Sequence, residues 1–400
     1  MVPDLRARFN AGFTPGRHQL FLNTVRRRCG VPVEFPLSET PCFLPASLLA
    51  SLEQAARAMI DSLLGSADYL RRADAMVPER FRMPRGEQWP TFIQVDFGLV
   101  QTSRGIEGRL VELQAFPSLY GFQLVLAETA REVWELDEAA TMFPGALDRA
   151  RYLETVGSAI CGDHDPTEVV LMEIDPDRQK TRPDFAVTRQ SWGVRAIDVR
   201  AVSRVGRQLF YDRDGHRTRI RRVYNRVIPD ELDQKAIALP FDYGEDLDVE
   251  WAGAPDWFFR LSKFSIPFLT HPWVPQTMFL NEAEGRFDPG DDRWLLKPLF
   301  SYAGGGIIFG PTRADLDAIP VAARHLYVVQ ERVPFTPVIA TPDGDTQAEV
   351  RLMFVRSAGR DYQLVLPLIR MGRGRMMGVD HNKGLRFVGA SAALIVQDMA

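Results

Sequence analysis

Lys297 lies in an apolar run, WLLKPLF, and Ser301-Tyr302-Ala303-Gly304-Gly305-Gly306 follows at once. Three successive glycines between two strand-like runs let the backbone approach a ligand closely, and their N–H groups can converge on phosphate oxygens. A lysine just before such a loop brings an ammonium to the same oxygens. Further on, LYVVQERV carries Gln330 and Glu331 at the end of an apolar strand. There a carboxylate and backbone groups could meet an adenine or a ribose. Each part has a plain alternative, a Gly-rich hairpin turn beside a lysine on an exposed strand. Lysine, glycine loop and strand-terminal Gln-Glu in this order are less generic than any one of them.

The scarcity of lysine adds weight to Lys297. Among 48 Lys and Arg residues only five are lysine: Lys180, Lys235, Lys263, Lys297 and Lys383. Arginine carries the routine surface charge, so a retained lysine is more often than usual there for its compact ammonium. A GC-rich genome would give the same bias.

The elements that must position these residues are legible in outline. Residues 1–45 are rich in Pro and Arg without clear periodicity. Leu48, Leu49, Leu52, Ala56, Met59, Ile60 and Leu63 recur at helical spacing. QVDFGLVQTS and GRLVELQAF read as a hairpin turning at Gly105 and Gly108, and residues 122–136 read as another helix. From about residue 165 the chain alternates: EVVLMEID is a strand, a helical stretch follows, then VRAIDVRAV, then a hairpin turning at Asp214-Gly215. This pattern predicts a small Rossmann-like α/β unit. After a Pro/Asp-rich passage near 229–256, WLLKPLF, GIIFGPT, LYVVQERV, EVRLMFV, YQLVLPLIRM and SAALIV predict a mainly antiparallel sheet with few helices. The expected organisation is 1–150, N-terminal helices plus the hairpin; 151–235, the Rossmann-like unit; and 236–400, the region holding the glycine loop.

Composition removes several function classes. Apolar residues are 46% and charged ones 25%, ordinary for a folded protein, and the net charge of −4 argues against nucleic-acid or anionic-membrane binding. The strand bearing Arg217, Arg219, Arg221, Arg222 and Arg226 has few interleaved aromatics and reads as a charge-protected edge. Cys29, Cys42 and Cys161 form no C-x-x-C pair, which suggests free thiols in a reducing compartment. MVPDLRARFN lacks the apolar segment of a leader, no apolar run approaches the roughly 18–20 residues of a membrane span, and the expected location is the cytoplasm. H-E-x-x-H, G-x-S-x-G and Walker motifs are lacking in the sequence.

The constellation around Lys297 resembles the ATP-grasp superfamily, whose nucleotide lies between two α+β halves. RLSKFSIPFL places Lys263 34 residues before Lys297, where the family carries its first lysine, and Glu331 lies 34 residues after it, at the adenine hinge. The resemblance implies that Lys263 and Lys297 bind ATP phosphates, that Gly304, Gly305 and Gly306 cover them, and that Gln330 and Glu331 contact adenine and ribose. For Lys263 the alternative is a lysine snorkelling from an amphipathic helix.

Two placements compete for the Mg²⁺ ligands. In ordinary ATP-grasp enzymes they lie near the C-terminus, and Glu349, Asp380 and Asn382 can be read that way. In the circularly permuted branch, which includes glutathionylspermidine synthetase-like proteins, they lie on an N-terminal hairpin. Gln94-Val95-Asp96 and Glu112-Leu113-Gln114 stand on such a hairpin, followed by the similar AFPSLYG. In a strand, residues i and i+2 share a face, so Glu112 and Gln114 would point at one ion together, and the resemblance adds Asp96 as a third ligand. The plain alternative is a polar, solvated hairpin face. IRRVYNRVIPDELD and RMGRGRMMGVDHNKGLRFVGAS also resemble the permuted branch, placing Asn225 and Arg226 at the cleft and Asn382 in a loop over the phosphates. Residue 94 is Gln where permuted synthetases carry Arg, and Gln114 stands in place of Asn.

The resemblance implies a circularly permuted ATP-grasp fold with a small Rossmann-like domain. It implies an ATP- and Mg²⁺-dependent ligase that joins a small-molecule carboxylate to an amine or thiol through an acyl-phosphate. Arg226, Arg351 and Arg370 are its candidates to hold the carboxylate and stabilise the developing oxyanion. A nucleotide-binding relative without catalysis, which the two glutamines motivate, and phosphoryl transfer to a hydroxyl are the alternatives.

Overall fold

The hairpin expected at 94–116 forms one end of the largest sheet in the protein, here described from a computed structural model covering residues 1–136, 140–301, 304–357, 359, 361–378, 382 and 384–398. Its strands, Phe92–Thr102 and Gly105–Gln114, are joined by strands from the far end of the chain. The sheet runs Cys42–Pro45, Gly389–Val396, Gln363–Gly372, Gln347–Val355, Phe92–Thr102, Gly105–Gln114, with Ala140–Thr141 also paired to Gly389–Val396. All neighbours are antiparallel except Cys42–Pro45 against Gly389–Val396.

Helices cover both faces of this sheet. Ala46–Leu64 has the spacing expected of it and lies against the Gly105–Gln114 strand, while Tyr120–Val133 lies against Gln363–Gly372 and Gly389–Val396. Burial on both sides explains why several of these strands read as continuous apolar runs rather than alternating ones. Each fully buried Leu, Ile or Met on the first helix contributes about 1.5–3 kcal/mol by leaving water.

A second sheet is parallel throughout, in the order Glu250–Ala252, Arg222–Asn225, Val169–Glu173, Arg195–Asp198. The chain builds outward from Val169–Glu173 to Arg195–Asp198 and then crosses to the other side. The crevice at the carboxyl ends of Val169–Glu173 and Arg222–Asn225 is therefore a topological switch point. The arginine-rich segment from 203 to 220 is a separate three-stranded meander turning at Asp214 and Gly215, both at positive φ. Several of its arginines are paired, Arg204 with Glu245 and Arg219 with Asp248, and beyond the meander Arg221 pairs with Glu168 and Arg222 with Glu250.

The run from Trp294 onward divides between two sheets. Gln347–Val355 and later strands belong to the large one. Thr277–Phe279, Tyr327–Glu331, Trp294–Pro298 and Ile308–Phe309 make a small antiparallel sheet with its own core of Met278, Leu280, Trp294, Leu296, Leu316 and Val329.

The first 45 residues depart from expectation. They contain two helices, Pro3–Gly12 and Pro15–Cys29. Each has proline at its first position, where the missing N–H costs nothing, and Thr14 caps the second by accepting from Arg17 N at 3.2 Å. Few of their side chains are apolar, so periodicity was faint where capping chemistry was clear. Among the described residues, no helix is long and apolar enough to cross a membrane. The three cysteines are free and buried.

Candidate functional site

Between the small sheet, the large sheet and the carboxyl ends of the parallel sheet lies a cleft of about 1430 Å³. The two-residue period of Trp294–Pro298 sends Trp294 and Leu296 into the small core, and Leu295 and Lys297 into the cleft. The Lys297 ammonium is buried and donates to Gln330 Oε1 on the neighbouring strand. Burial pulls its pKa down, Glu112 pushes it up and Lys263 lowers it again, leaving it at about 8. Lys263 opens a short 3-10 turn whose start is capped by Ser262. Its ammonium donates to the Ser301 carbonyl at 2.6 Å and lies 3.9 Å from Glu112 Oε2. The two lysines expected to share a ligand thus face one cleft, and one of them ties down the start of the glycine loop.

Gly304 and Gly306 have φ of 76° and 72°, the left-handed region that favours glycine. A Cβ on Gly306 would meet Pro298 Cγ at 2.8 Å, and one on Gly304 would collide with the Met376 methyl. Gly304 lines the cleft; Gly305 and Gly306 continue the turn behind it. Gln330 also lines the cleft. It is buried, and its amide nitrogen has no hydrogen-bond partner among the described residues. Glu331 is exposed beside it, its backbone N–H held by Gln276 O at 2.8 Å.

The large sheet contributes a cluster of charges set by strand register. Asp96 is opposite Glu112 on one side and Arg351 on the other, and Glu349 is opposite Arg370. Arg351 grips Asp96 with two parallel bonds, Nε to Oδ1 and Nη2 to Oδ2, both 2.6 Å. Arg370 donates to Asp96 and forms an ion pair with Glu349. Arg351 Nη1 also donates to Gln94 Oε1 at 2.9 Å. With its amide oxygen turned to the guanidinium, Gln114 accepts from Arg351 Nη2 at 2.9 Å, and Glu112 Oε1 lies 3.9 Å away.

Burial alone would raise the Asp96 carboxyl, but Arg351 and Arg370 outweigh it and hold it below the usual carboxylate range. Glu349 is less compensated: burial and the nearby Asp96 prevail over Arg370, and it is pushed up to about 7.

Asp96, Glu112 and Gln114, the expected metal ligands, are brought side by side. They surround a guanidinium, however, and both Asp96 oxygens are engaged by arginine. Among the described residues, no three His, Cys, Asp or Glu side chains come together as a cation site. As arranged, these groups do not fit a Mg²⁺ ion. Of the other expected set, Glu349 faces Arg370, and Asp380 lies outside the described residues, as do His381 and Lys383. Asn382 is spent on its own loop: its oxygen accepts from Arg373 N and Gly374 N at 2.8 and 3.0 Å, and its nitrogen donates to Met376 O and Gly378 O at 3.0 and 3.1 Å. It shapes a loop whose residues 374–378 line the cleft beside the glycines, but it is absent from the lining itself. Arg375 of that loop reaches Asp292 at 3.0 Å, linking it to the small-sheet side.

Arg226 stands apart from Arg351 and Arg370, at the switch point of the parallel sheet. It is buried against Asp184 at 3.2 Å, between the rings of Phe116 and Phe185. Asp184 also accepts from Leu119 N and Phe122 N at the start of the Tyr120–Val133 helix. Burial raises its carboxyl, with Arg226 working against the rise. Near Arg226 the cleft wall holds Glu173, pushed to about 8 by burial, together with Arg178, Gln179, Lys180 and Thr181. Sequence reading passed over this segment. Among the described residues, Lys180 lines the cleft together with Lys263 and Lys297. The available signal was position: these residues follow a strand at the point where the parallel order reverses.

No protein-family model and no curated protein sequence matches the chain. Among solved structures it is similar to a glutathione synthetase-like effector (GSS30) from Globodera pallida in the apo form. The two are 12% identical, share a TM-score of 0.62, and overlap over 95% of this chain and 96% of the other. At that identity the likeness is one of fold: the chain has the mixed α+β fold of a glutathione synthetase-like protein.

Proposed function

We propose that this protein is an ATP-dependent ligase of the circularly permuted ATP-grasp type, joining a small-molecule carboxylate to an amine or thiol. The observation that carries the proposal is the convergence of Lys263, Lys297, the glycine loop and the unpartnered Gln330 amide on one cleft. Lys263 and Lys297 hold the phosphates, Gly304, Gly305 and Gly306 close over them, and Gln330 and Glu331 take adenine and ribose. The fold likeness to a glutathione synthetase-like protein supports the same class.

In this reading the γ-phosphoryl group passes to a substrate carboxylate, giving an acyl-phosphate and ADP. The amine or thiol then attacks the acyl carbon and phosphate leaves. Lys297 is charged at neutral pH, since its pKa is about 8, and a buried ammonium stabilises charge on the migrating phosphoryl group more than an exposed one does. Arg351 and Arg370 stand on the opposite wall. Arg226, fixed by Asp184, holds the acceptor's carboxylate at the far end, where the volume leaves room for a second substrate. Asp96, Glu112 and Gln114 face the Arg351 guanidinium, so the charge met by the phosphates is that of the chain's own cations.

The test is incubation with ATP and pooled amino acids, peptides and polyamines, with ADP and new amide or thioester products read by mass spectrometry. With ATP below its Kd, Lys297→Met should lower both signals about ten- to hundredfold. ATP binding without ADP release under every mixture would favour a second reading, nucleotide binding without ligation, which the arginine-filled carboxylate cluster also supports. A phosphate ester among the products would instead indicate transfer to a hydroxyl.

A further inference from the structure

We propose that the cleft neutralises a polyphosphate with its own guanidinium groups, Arg351 and Arg370, in place of a divalent cation held by Asp96, Glu112 and Gln114. The inference rests on the nucleotide reading for its ligand, but its premise is the geometry of the hairpin face. Four polar side chains, Gln94, Asp96, Glu112 and Gln114, turn toward one planar cation. The Asp96–Arg351 contact is a fork-to-fork pair, and Arg370 takes a further bond to Asp96 Oδ2. Mg²⁺ requires oxygens at about 2.0–2.1 Å in octahedral array. A carboxylate whose oxygens already accept three N–H bonds from two arginines cannot supply that array without releasing them.

Register fixes the arrangement. Arg351 sits directly opposite Asp96 in the ladder, and Arg370 directly opposite Glu349. Both strands are central in the sheet, and Arg351 is buried while Arg370 is partly exposed in the cleft. The charge balance points the same way. Arg351, Arg370, Lys263 and Lys297 face Asp96, Glu112 and Glu349, four cationic groups against three carboxylates. The cleft therefore has an excess of positive charge before any ion enters it, suited to an anion that arrives without a metal. The Arg351 N–H groups are engaged by Asp96, Gln94 and Gln114, so its contribution is its charge; Arg370, partly exposed in the cleft, is the guanidinium placed to meet phosphate oxygens that a bound Mg²⁺ would otherwise contact.

Two measurements on the full chain test this. Calorimetric titration with the β,γ-imido analogue of ATP is run in excess EDTA and in excess MgCl₂. Dissociation constants equal within about threefold, less than 1 kcal/mol, are expected. A constant weaker by more than tenfold in EDTA overturns the proposal. Independently, Mn²⁺ is titrated into the nucleotide-free protein and followed by electron paramagnetic resonance. The native chain should hold no stoichiometric Mn²⁺, and Arg351→Gln should gain one site, making its binding of the analogue dependent on Mg²⁺. Tight one-to-one Mn²⁺ binding by the native chain overturns the proposal whether or not the variant folds. If the analogue binds in neither buffer, the nucleotide reading fails, while the Mn²⁺ titration still decides whether the carboxylate face is open to a metal.

Discussion

Replacing Lys297 by Met should weaken nucleotide binding while leaving the protein as stable as before or more so. A buried lysine whose pKa falls from 10.5 to about 8 destabilises the native state by about 3 kcal/mol when charged. The sign follows from proton binding. Below pH 8 the lysine is protonated in both native and unfolded chains and the full penalty applies. Between pH 8 and 10.5 the native chain releases the proton first and the penalty fades. Met removes the charge at nearly the same volume but strands Gln330 Oε1, which Lys297 now satisfies, at a cost of about 1–3 kcal/mol. The net change at pH 7 lies between zero and about 2 kcal/mol of added stability. Nucleotide binding moves the other way. The lost contact is charge-assisted and worth about 1.5–3 kcal/mol, a roughly ten- to hundredfold rise in Kd. The native protein should also lose affinity as pH rises above about 8, because the ammonium the phosphates require deprotonates, and the variant should be flat over that range. Calorimetry at pH 7 and 9 with a thermal melt at pH 7 reads all three effects. Unchanged affinity in the variant would refute the phosphate assignment. Weaker binding accompanied by a large fall in Tm would show that Lys297 acts through the fold.

Glu349→Gln should remove a pH dependence of stability. With its pKa raised to about 7, the native carboxyl keeps a proton that the unfolded one releases, so native stability falls between about pH 4.5 and 7. Urea melts at pH 5 and 8 should differ less in the variant; an unaltered difference would exclude Glu349 as its source. Arg226→Met leaves Asp184 buried and unpaired and should lower stability by about 3–5 kcal/mol, with much of the loss recovered in Arg226→Met/Asp184→Asn; equal losses in the single and double variants would contradict the pairing. Gly306→Ala meets both a positive φ and Pro298, and should cost about 1–2 kcal/mol of stability and weaken nucleotide binding. Wild-type melting and binding would show that the loop adapts freely.

Local chemistry made much of this legible in the sequence. The helix at 46–64, the hairpin at 92–114, the Asp214-Gly215 turn and the strands from Trp294 onward follow from apolar period and turn residues, which act within a few positions. The helices before residue 30 were missed because they announce themselves through proline at N1 and a threonine cap more than through an apolar stripe. Residue types and order also drew attention to Lys297, the glycines and Gln330, and the family resemblance to Lys263; Lys263, Lys297, Gly304 and Gln330 line one cleft because neighbouring strands of the small sheet keep them within one stretch of chain.

Long-range pairing is different. Nothing within 92–114 says which side chain of a strand some 250 residues later will lie opposite Asp96. Read alone, Asp96, Glu112 and Gln114 have the chemistry of metal ligands. Tertiary register placed Arg351 among them and turned a carboxylate cluster into a set of salt bridges. The same folding brought Arg178 to Thr181 and the 374–378 loop to one cleft. The sequence by itself determined which groups were available, since ionisable side chains and backbone freedom are properties of each residue. The tertiary structure decided which of them are already neutralised, because Coulomb interactions depend on distance across the sheet and not on separation along the chain.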